Sequence, residues 1–151
     1  MNRNLILVFI LLATLSVANA LPNQLVKRQI KWEKCTENYP LVNVDLSSDS
    51  IVPGQEYSFN VSGNLNTIID SGFILSVGFH DNHLFTIASV EVPICGAFYR
   101  TDCPINSNTD FSASLVFLVP KNLPNPYSIL VLISDKLNKK VQGCTEKKLG
   151  N

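Results

Sequence analysis

The sequence FILSVGFH, at residues 73–80, has the clearest structural pattern in the chain. Phe73, Leu75, Val77 and Phe79 take every second position, and small or polar residues lie between most of them. Successive side chains of a β-strand point to opposite faces, so a period of two is typical of a strand with one buried face. We therefore predict a strand here, with these four side chains in the core.

Four other stretches repeat the period of two. Turn sequences such as Pro53-Gly54 and Pro124-Asn125-Pro126 bound them, and no long stretch has the period of a helix. Several alternating strands at short spacing predict an all-β protein, a β-sandwich of two antiparallel sheets. The alternating apolar sets are Val42, Val44 and Leu46; Tyr57, Phe59 and Val61; Phe111, Ala113, Leu115, Phe117 and Val119; and Tyr127, Ile129, Val131 and Ile133.

The first twenty residues have the pattern of a secretory signal peptide. Arg3 precedes an apolar run from Leu5 to Leu12, and the sequence Ala18-Asn19-Ala20 follows. A basic start, a short apolar stretch and small residues at the cleavage site define such a signal. The run is shorter than the ~20 apolar residues of a membrane-spanning helix. We predict cleavage after Ala20, and secretion or delivery to the lumen of a vacuole or lysosome.

The charge balance gives no support for a nucleic-acid partner. Without residues 1–20 the chain has 11 basic and 12 acidic residues, a net charge of −1, and no basic block. Lys27-Arg28 is either a dibasic processing site or part of a solvated N-terminal segment. The remaining length suits one domain with one core.

Four cysteines, Cys35, Cys95, Cys103 and Cys144, follow the predicted signal. In an oxidising compartment an even number predicts disulfides, and three pairings are possible. One of them closes a short loop between Cys95 and Cys103 and leaves Cys35 and Cys144 to join the first and last ordered segments. On the loop-entropy relation the long closure is worth roughly 5 kcal/mol and the short one about 2–3 kcal/mol. The spacings fit neither a zinc site nor a C-x-x-C redox pair.

The sequence does not have the pattern of an enzyme. His80 and His83 are the two histidines, and both fall in a predicted hairpin turn. H-x-x-H spacing gains ligand geometry on a helix, so we interpret them as solvated turn residues. There is no G-x-S-x-G nucleophile motif, and the carboxylates are scattered across turns. We predict no catalytic site, no metal and no cofactor.

The sequence Asn60-Val61-Ser62 is the one N-glycosylation sequon in the chain. In the alternation Asn60 points away from the face of Tyr57 and Phe59. We therefore expect Asn60 to be exposed and open to modification.

Beyond these local patterns, the chain resembles the ML-domain lipid-recognition family across residues 31–146. It is most similar to the small phosphatidylglycerol/phosphatidylinositol transfer proteins, with the lysosomal Niemann–Pick type C sterol-transfer protein as a close relative. The residues that carry the resemblance are Cys35-Thr36-Glu37-Asn38-Tyr39-Pro40, Pro53-Gly54-Gln55-Glu56-Tyr57-Ser58-Phe59-Asn60-Val61-Ser62-Gly63, Gly72-Phe73, Cys95, Cys103-Pro104-Ile105, Val119-Pro120, Pro126-Tyr127 and Cys144.

The resemblance implies an immunoglobulin-like sandwich with an inter-sheet apolar cavity that holds the hydrocarbon part of a lipid. It also implies the disulfides Cys35–Cys144 and Cys95–Cys103. Relatives often carry a further cysteine pair in the early strands, which this sequence lacks, and its loop between Cys95 and Cys103 is somewhat longer than in the sterol carrier. The implied domain limits are a signal peptide at 1–20, a flexible segment at 21–30, the lipid-binding sandwich at 31–146 and a C-terminal tail at 147–151.

The predicted inward faces would line the implied cavity. The same side chains would also fill an ordinary sandwich core, and the alternation alone does not separate the two; the resemblance favours the cavity. The lining residues are Phe73, Leu75, Val77, Phe79, Phe111, Leu115, Phe117, Tyr127, Ile129, Val131 and Ile133.

Phe98 and Tyr99, inside the loop between Cys95 and Cys103, either fold onto the core or lie at the pocket mouth. Arg100 and Lys121 could touch an anionic head group, although solvated charges explain both. The expected function is binding of a phospholipid or sterol and its transfer between membranes by a monomer in transient membrane contact. The alternative is a secreted module that sequesters the lipid or presents it to a protein partner.

Overall fold

The computed structural model describes residues 31–35, 38–48, 50–96, 102–138 and 140–150. The predicted signal peptide and the segment 21–30, with Lys27-Arg28, lie outside these residues, as do Phe98, Tyr99 and Arg100. The regular elements of the described part are eight strands. They are β1 (Glu33–Lys34), β2 (Asn43–Leu46), β3 (Glu56–Asn64), β4 (Phe73–Asp81), β5 (Thr86–Pro93), β6 (Asp110–Leu118), β7 (Tyr127–Asp135) and β8 (Lys140–Leu149).

The strands form two antiparallel sheets. The larger sheet has the order β1-β8-β7-β4-β5 and the smaller sheet the order β2-β3-β6. The five stretches that alternate in the sequence are β2, β3, β4, β6 and β7, and the predicted all-β sandwich is confirmed. The strands β1, β5 and β8 were not predicted.

Burial follows the alternation that the sequence shows. On β4, Leu75, Val77 and Phe79 are fully buried, whereas Ile74 and Ser76 are partly exposed. On β7, Ile129, Val131 and Ile133 are buried in the same way and face the same core, because Leu75, Val77 and Phe79 are their direct register partners. The core therefore lies between the two sheets.

Two contacts show how the sheets lie over each other. At one end, the rings of Phe79 on β4 and Phe117 on β6 meet edge to face with centroids 5.2 Å apart. Across the core, a Cβ placed on Gly143 of β8 would lie 2.9 Å from Cγ1 of Val42, just before β2. Strand β4 therefore faces β6, and β8 faces the β2 side. Since β6 is an edge of the smaller sheet, β5 extends past that edge.

Both implied disulfides are confirmed. The long disulfide, Cys35–Cys144, joins residues 109 apart in sequence with Cα atoms 5.8 Å apart. The short disulfide, Cys95–Cys103, joins residues 8 apart with Cα atoms 5.7 Å apart. The long disulfide links the segment after β1 to β8, and Thr145 adds a hydrogen bond by donating from its hydroxyl to the carbonyl of Glu33.

The last strand runs beyond the predicted limit at 146. Strand β8 continues to Leu149 and pairs Lys147, Lys148 and Leu149 with the first three residues of β7. The residues 147–149, expected in a C-terminal tail, therefore belong to the larger sheet. The two lysines in this segment break the alternation of apolar and polar residues, so the sequence gives no strand pattern here. The segment is a strand because its backbone pairs with β7. Within the described ranges, no helix has the length and apolar character needed to cross a membrane.

Candidate functional site

The eleven residues predicted to line a cavity all lie on the inner faces of β4, β6 and β7. Phe117 and Tyr127 are half-buried and the other nine are buried. The sheets bring them together from both sides: β4 and β7 supply one wall and β6 the other. The result is an apolar layer that is continuous along the sandwich.

An aromatic cluster closes this layer at the end where the β4–β5 hairpin turns. Phe79 contacts Phe117 on the opposite sheet, and it stacks on Tyr127 with ring centroids 6.1 Å apart. Burial, and to a lesser degree the nearby Tyr57, raises the pKa of the Tyr127 hydroxyl. The hydroxyl of the buried Tyr57 accepts a hydrogen bond of 2.7 Å from the backbone N–H of Val52. This end of the layer therefore carries two tyrosine hydroxyls.

The flank of the layer along β5 is open. Ala88, Val90 and Val92 point inward, because they are register partners of Phe79, Val77 and Leu75. They are only partly buried, whereas their partners on β4 are fully buried. The cause is the overhang of β5 past the edge strand of the smaller sheet. Apolar side chains of the inner face thus meet solvent along one side of the sandwich.

Strand β5 and its inner face were not predicted, although the sequence contains a signal for them. Residues 88–92 read Ala-Ser-Val-Glu-Val, which is a regular alternation of apolar and polar side chains. Sequence alone would have identified β5 and its inward face. It would not have shown the partial exposure, which follows from the different widths of the two sheets.

A surface pocket of about 450 Å³ lies at the opposite end of β6, beside the short disulfide. It reaches Phe111, one of the predicted lining residues, from outside. Its wall is a mixture of carboxylate, amide and apolar groups, including Asp102, Asn106 and Ile105. A backbone bridge between Ile69 and Ile105 fixes the loop that forms this wall.

A second pocket, of about 390 Å³, lies on the outer face of the larger sheet and is called the outer groove here. Leu130 and Leu132 of β7 form its floor, with Val141 and Leu84 beside them. The remaining wall includes His80, Ser128, Glu146, Tyr39 and the long disulfide. It is the alternative to the inner layer as a place for an apolar ligand.

The other predicted groups lie apart from the apolar layer. Asn60 is exposed on the outer face of the smaller sheet, between Asp45 and Ser114. Lys121 is exposed and lies beside Gly54. His83 is exposed in the β4–β5 turn, as predicted. The prediction that His80 is also a turn residue is wrong, because His80 belongs to strand β4, where it pairs with Ser128 of β7 and is partly buried. In the part of the chain that the structure describes, no three His, Cys, Asp or Glu side chains are grouped so as to hold a metal ion.

Comparison with solved structures shows the same fold elsewhere. Chicken MD-1 complexed with lipid IVa matches with a TM-score of 0.50 and 16% identity, over 80% of this chain and 87% of that chain. The sporulation control protein Spo0M of Bacillus subtilis gives a TM-score of 0.47 at 14% identity, over 73% and 48% of the two chains. A β-glucuronidase of glycoside hydrolase family 2 gives 0.43 at 14% identity, over 73% of this chain and 11% of that chain. The MD-1 match shows a shared fold alone, and the two weaker matches do not bear on function.

Sequence comparison identifies the family. No curated protein sequence matches the chain significantly. The family profile described as ML domain, in contrast, matches residues 29–149, which includes all eight strands. The chain therefore belongs to the ML-domain family.

Proposed function

We propose that this protein binds a phospholipid or a sterol with its hydrocarbon part between the two sheets, and transfers it between membranes. The site would be lined by the inner faces of β4, β6 and β7. Phe98 and Tyr99 would lie at its mouth, which is one of the two positions that the sequence leaves open for them.

The observation that carries the proposal is the open flank along β5. A carrier needs an apolar interior and a way in that avoids unfolding the sandwich. Val90 and Val92 belong to the inner face and are still reached by solvent. A hydrocarbon chain that enters here would replace water against these side chains and continue onto Val77 and Leu75.

The composition of the layer suits hydrocarbon. A lipid chain that leaves a membrane for water loses about 0.8 kcal/mol per CH₂, so a carrier must supply a dry apolar lining. Among the described residues, no buried side-chain nitrogen or oxygen lacks a hydrogen-bond partner. A hydrocarbon chain in this layer would therefore face no side-chain polar group that lacks a hydrogen-bond partner. Membership of the ML-domain family, and the lipid IVa held by the MD-1 neighbour, support a lipid as the ligand.

We further propose that the chain is a secreted or lumenal monomer and not an enzyme. The pattern of residues 1–20 supports cleavage of a signal peptide after Ala20, and the two disulfides support an oxidising compartment. The exposed position of Asn60 supports its glycosylation.

The direct test has two parts. Native mass spectrometry of the protein purified from a eukaryotic secretion host should show one bound lipid, and vesicle assays should show movement of labelled phospholipid or sterol from donor to acceptor vesicles. A folded protein with neither bound lipid nor transfer would refute the proposal. Bound lipid without transfer would favour the module that sequesters or presents its ligand.

A matched pair of variants on β5 tests the location. Val90 points inward and the adjacent Ser89 points outward on the same strand. Val90→Asp places a charge on the apolar side and should lower lipid occupancy at least about tenfold, because a carboxylate is costly to desolvate. Ser89→Asp adds the same charge on the solvent side and should leave occupancy unchanged. Equal occupancy in the two variants would show that the lipid does not pass this flank.

A further inference from the structure

One edge of the smaller sheet has backbone groups that point away from the protein. Among the described residues, β6 pairs with β3 alone. The N–H of Val119, directly after β6, donates to the carbonyl of Gln55 at 2.9 Å, and these two residues continue the register of β6 and β3. Backbone groups of an antiparallel strand alternate in direction. The N–H and carbonyl groups of Ser114, Val116 and Leu118 therefore lie at the free edge.

The other three edges of the described sheets have features that hinder the addition of a strand. β1 has two residues and β2 has four. Strand β5 has a bulge opposite Phe79 and His80, a charge at Glu91 and no backbone N–H at Pro93. The nine residues of β6, in contrast, keep an unbroken register with β3, and residues 111–118 include neither a charged side chain nor proline. Because natural sheets usually protect their edges, this one indicates a place for another strand.

The side chains around the edge of β6 are apolar on both faces of the smaller sheet. On the outer face, Val116 is 62% exposed and Leu118 is 57% exposed. On the inner side lie Val90 and Val92, which are partly exposed because β5 extends past β6 in the facing sheet. A strand added to β6 would cover β5 and lie beside Val116, so it would bury side chains on both of its faces. These four side chains are uncharged, and a charge on the added strand would leave water without a partner.

The backbone groups at the edge select a polypeptide as the occupant. A hydrocarbon chain laid along the edge itself would cover N–H and carbonyl groups without hydrogen bonds, at a cost of about 1–3 kcal/mol for each group. An extended peptide would instead bond to Ser114, Val116 and Leu118.

A second copy of this chain does not fit through its own β6. A two-fold axis that joins two β6 strands places both larger sheets on the same side of the joined smaller sheets. Each β5 extends past β6, so the two β5 strands would meet in the same space. The single extended segment of another protein has no such overhang.

We propose that the edge of β6 binds an extended segment of another protein by strand addition. The segment would be uncharged along the contact, with β-branched or other apolar side chains on both faces. It would extend the smaller sheet beyond β6 and close the open flank along β5. The proposal goes beyond the proposed function and is independent of it, since the edge is present with or without lipid in the apolar layer.

Titration of lipid-free, isotope-labelled protein with a peptide tests the strand addition. The probe is a short synthetic peptide of alternating valine and threonine, with lysine at both ends for solubility. The N–H groups of Ser114, Val116 and Leu118 should exchange with solvent at least about tenfold more slowly in the complex. The same peptide with N-methyl groups on all valine and threonine amides has no donors for the edge, and it should leave exchange unchanged.

Substitutions at Val116 locate the binding. Val116→Pro removes an N–H that β3 does not use, and Val116→Lys places a charge at the edge; each should weaken peptide binding at least about tenfold. The matched controls are Ser89→Pro and Ser89→Lys, at an exposed position of β5 whose N–H also points away from its neighbouring strand. Both should bind within about twofold of the wild type. The lysine pair decides the matter if a proline variant does not fold.

Several results would overturn the proposal. They are unchanged exchange on addition of the peptide, equal binding of the methylated peptide, and an equal loss of binding in Ser89→Lys. Slow exchange of the Val116 N–H before any peptide is added would mean that the edge is already paired, and dimers lost in Val116→Lys would assign it to a second copy. Lipid occupancy is measured separately by native mass spectrometry, so failure of strand addition leaves the proposed lipid site intact.

Discussion

Phe79 and Phe85 lie six residues apart on one hairpin and should respond in opposite ways to truncation. Phe79 is fully buried; its contact with Phe117 joins the two sheets, and its contact with Tyr127 lies within the larger sheet. Phe85 is 72% exposed. Phe79→Ala removes a buried ring and both aromatic contacts, whereas Phe85→Ala removes a ring that is already mostly in water. The change in the free energy of unfolding should therefore differ between two chemically identical substitutions.

The expected magnitude for Phe79→Ala is about 3–5 kcal/mol. Burial of a large apolar side chain contributes about 1.5–3 kcal/mol, and each aromatic pair adds about 0.5–1.5 kcal/mol. The cavity left behind brings the total into the range found for buried phenylalanines. For a domain of this size the melting temperature should fall by about 12–20 °C. Phe85→Ala should cost about 0.5 kcal/mol or less.

Urea unfolding followed by the fluorescence of Trp32, the one tryptophan of the chain, provides the measurement. The lipid-free protein should be used, because a bound ligand adds its own stabilisation. A Phe79→Ala variant within about 1 kcal/mol of the wild type would show that the Phe79 ring does not hold the two sheets together, since such a loss is too small for a buried ring in that position. A comparable loss of unfolding free energy in Phe85→Ala would show that the Phe85 ring is packed against the rest of the protein in solution.

Three further predictions concern the sheets. Replacement of both cysteines of the long disulfide, Cys35 and Cys144, by serine should lower the free energy of unfolding by about 5 kcal/mol, against about 2–3 kcal/mol for the short disulfide; urea midpoints compare them, and equal losses would contradict the loop-length argument. Because its pKa is raised, the Tyr127 hydroxyl stays protonated to a higher pH in the folded chain than in the unfolded chain. Stability should then fall as the pH rises above about 10, and less steeply in Tyr127→Phe; parallel curves for the two proteins would be evidence against it. Gly143→Ala should cost about 1–3 kcal/mol in thermal unfolding, because its Cβ would lie 2.9 Å from Cγ1 of Val42, and an unchanged melting temperature would show that Val42 can move aside.

The sequence predicted β2, β3, β4, β6 and β7 because apolar side chains alternate along each of them and are mostly buried on the inner face. Leu75, Val77 and Phe79 are buried at every second position, and such a pattern has no other simple reading. The disulfides were predictable for a related reason, since one pairing closes a short loop and the family implies the same pairing.

Strands β1 and β8 could not be found with the same ease. Strand β8 carries Lys147 and Lys148 and holds Gly143 in its centre, so its membership of the sheet depends on pairing with β7 and not on its own apolar face. Strand β1 has two residues, and it is a strand because it pairs with β8. The order of the strands, which decides where β5 overhangs, arises from long-range pairing that local patterns do not encode.

The exposure of Leu84 and Phe85 at the tip of the β4–β5 hairpin could not be predicted from the sequence either. Leucine and phenylalanine are usually buried, and Leu84-Phe85 reads as the start of a strand. Only the hydrogen bonds of Asp81 show that these residues form the turn itself.

The proposed site places the hydrocarbon chain between the sheets and not in the outer groove. Strand β7 separates the two, because Val131 faces the inner layer while Leu130 and Leu132 form the floor of the outer groove. Isotope-filtered NOE spectroscopy of methyl-labelled protein with a bound phospholipid detects only methyl groups in near contact with the acyl chain. We predict cross-peaks from the acyl chain to the methyl groups of Val131 and of Leu115 on the facing sheet. Cross-peaks to Leu130 and Leu132 instead would place the acyl chain in the outer groove and refute the proposed site.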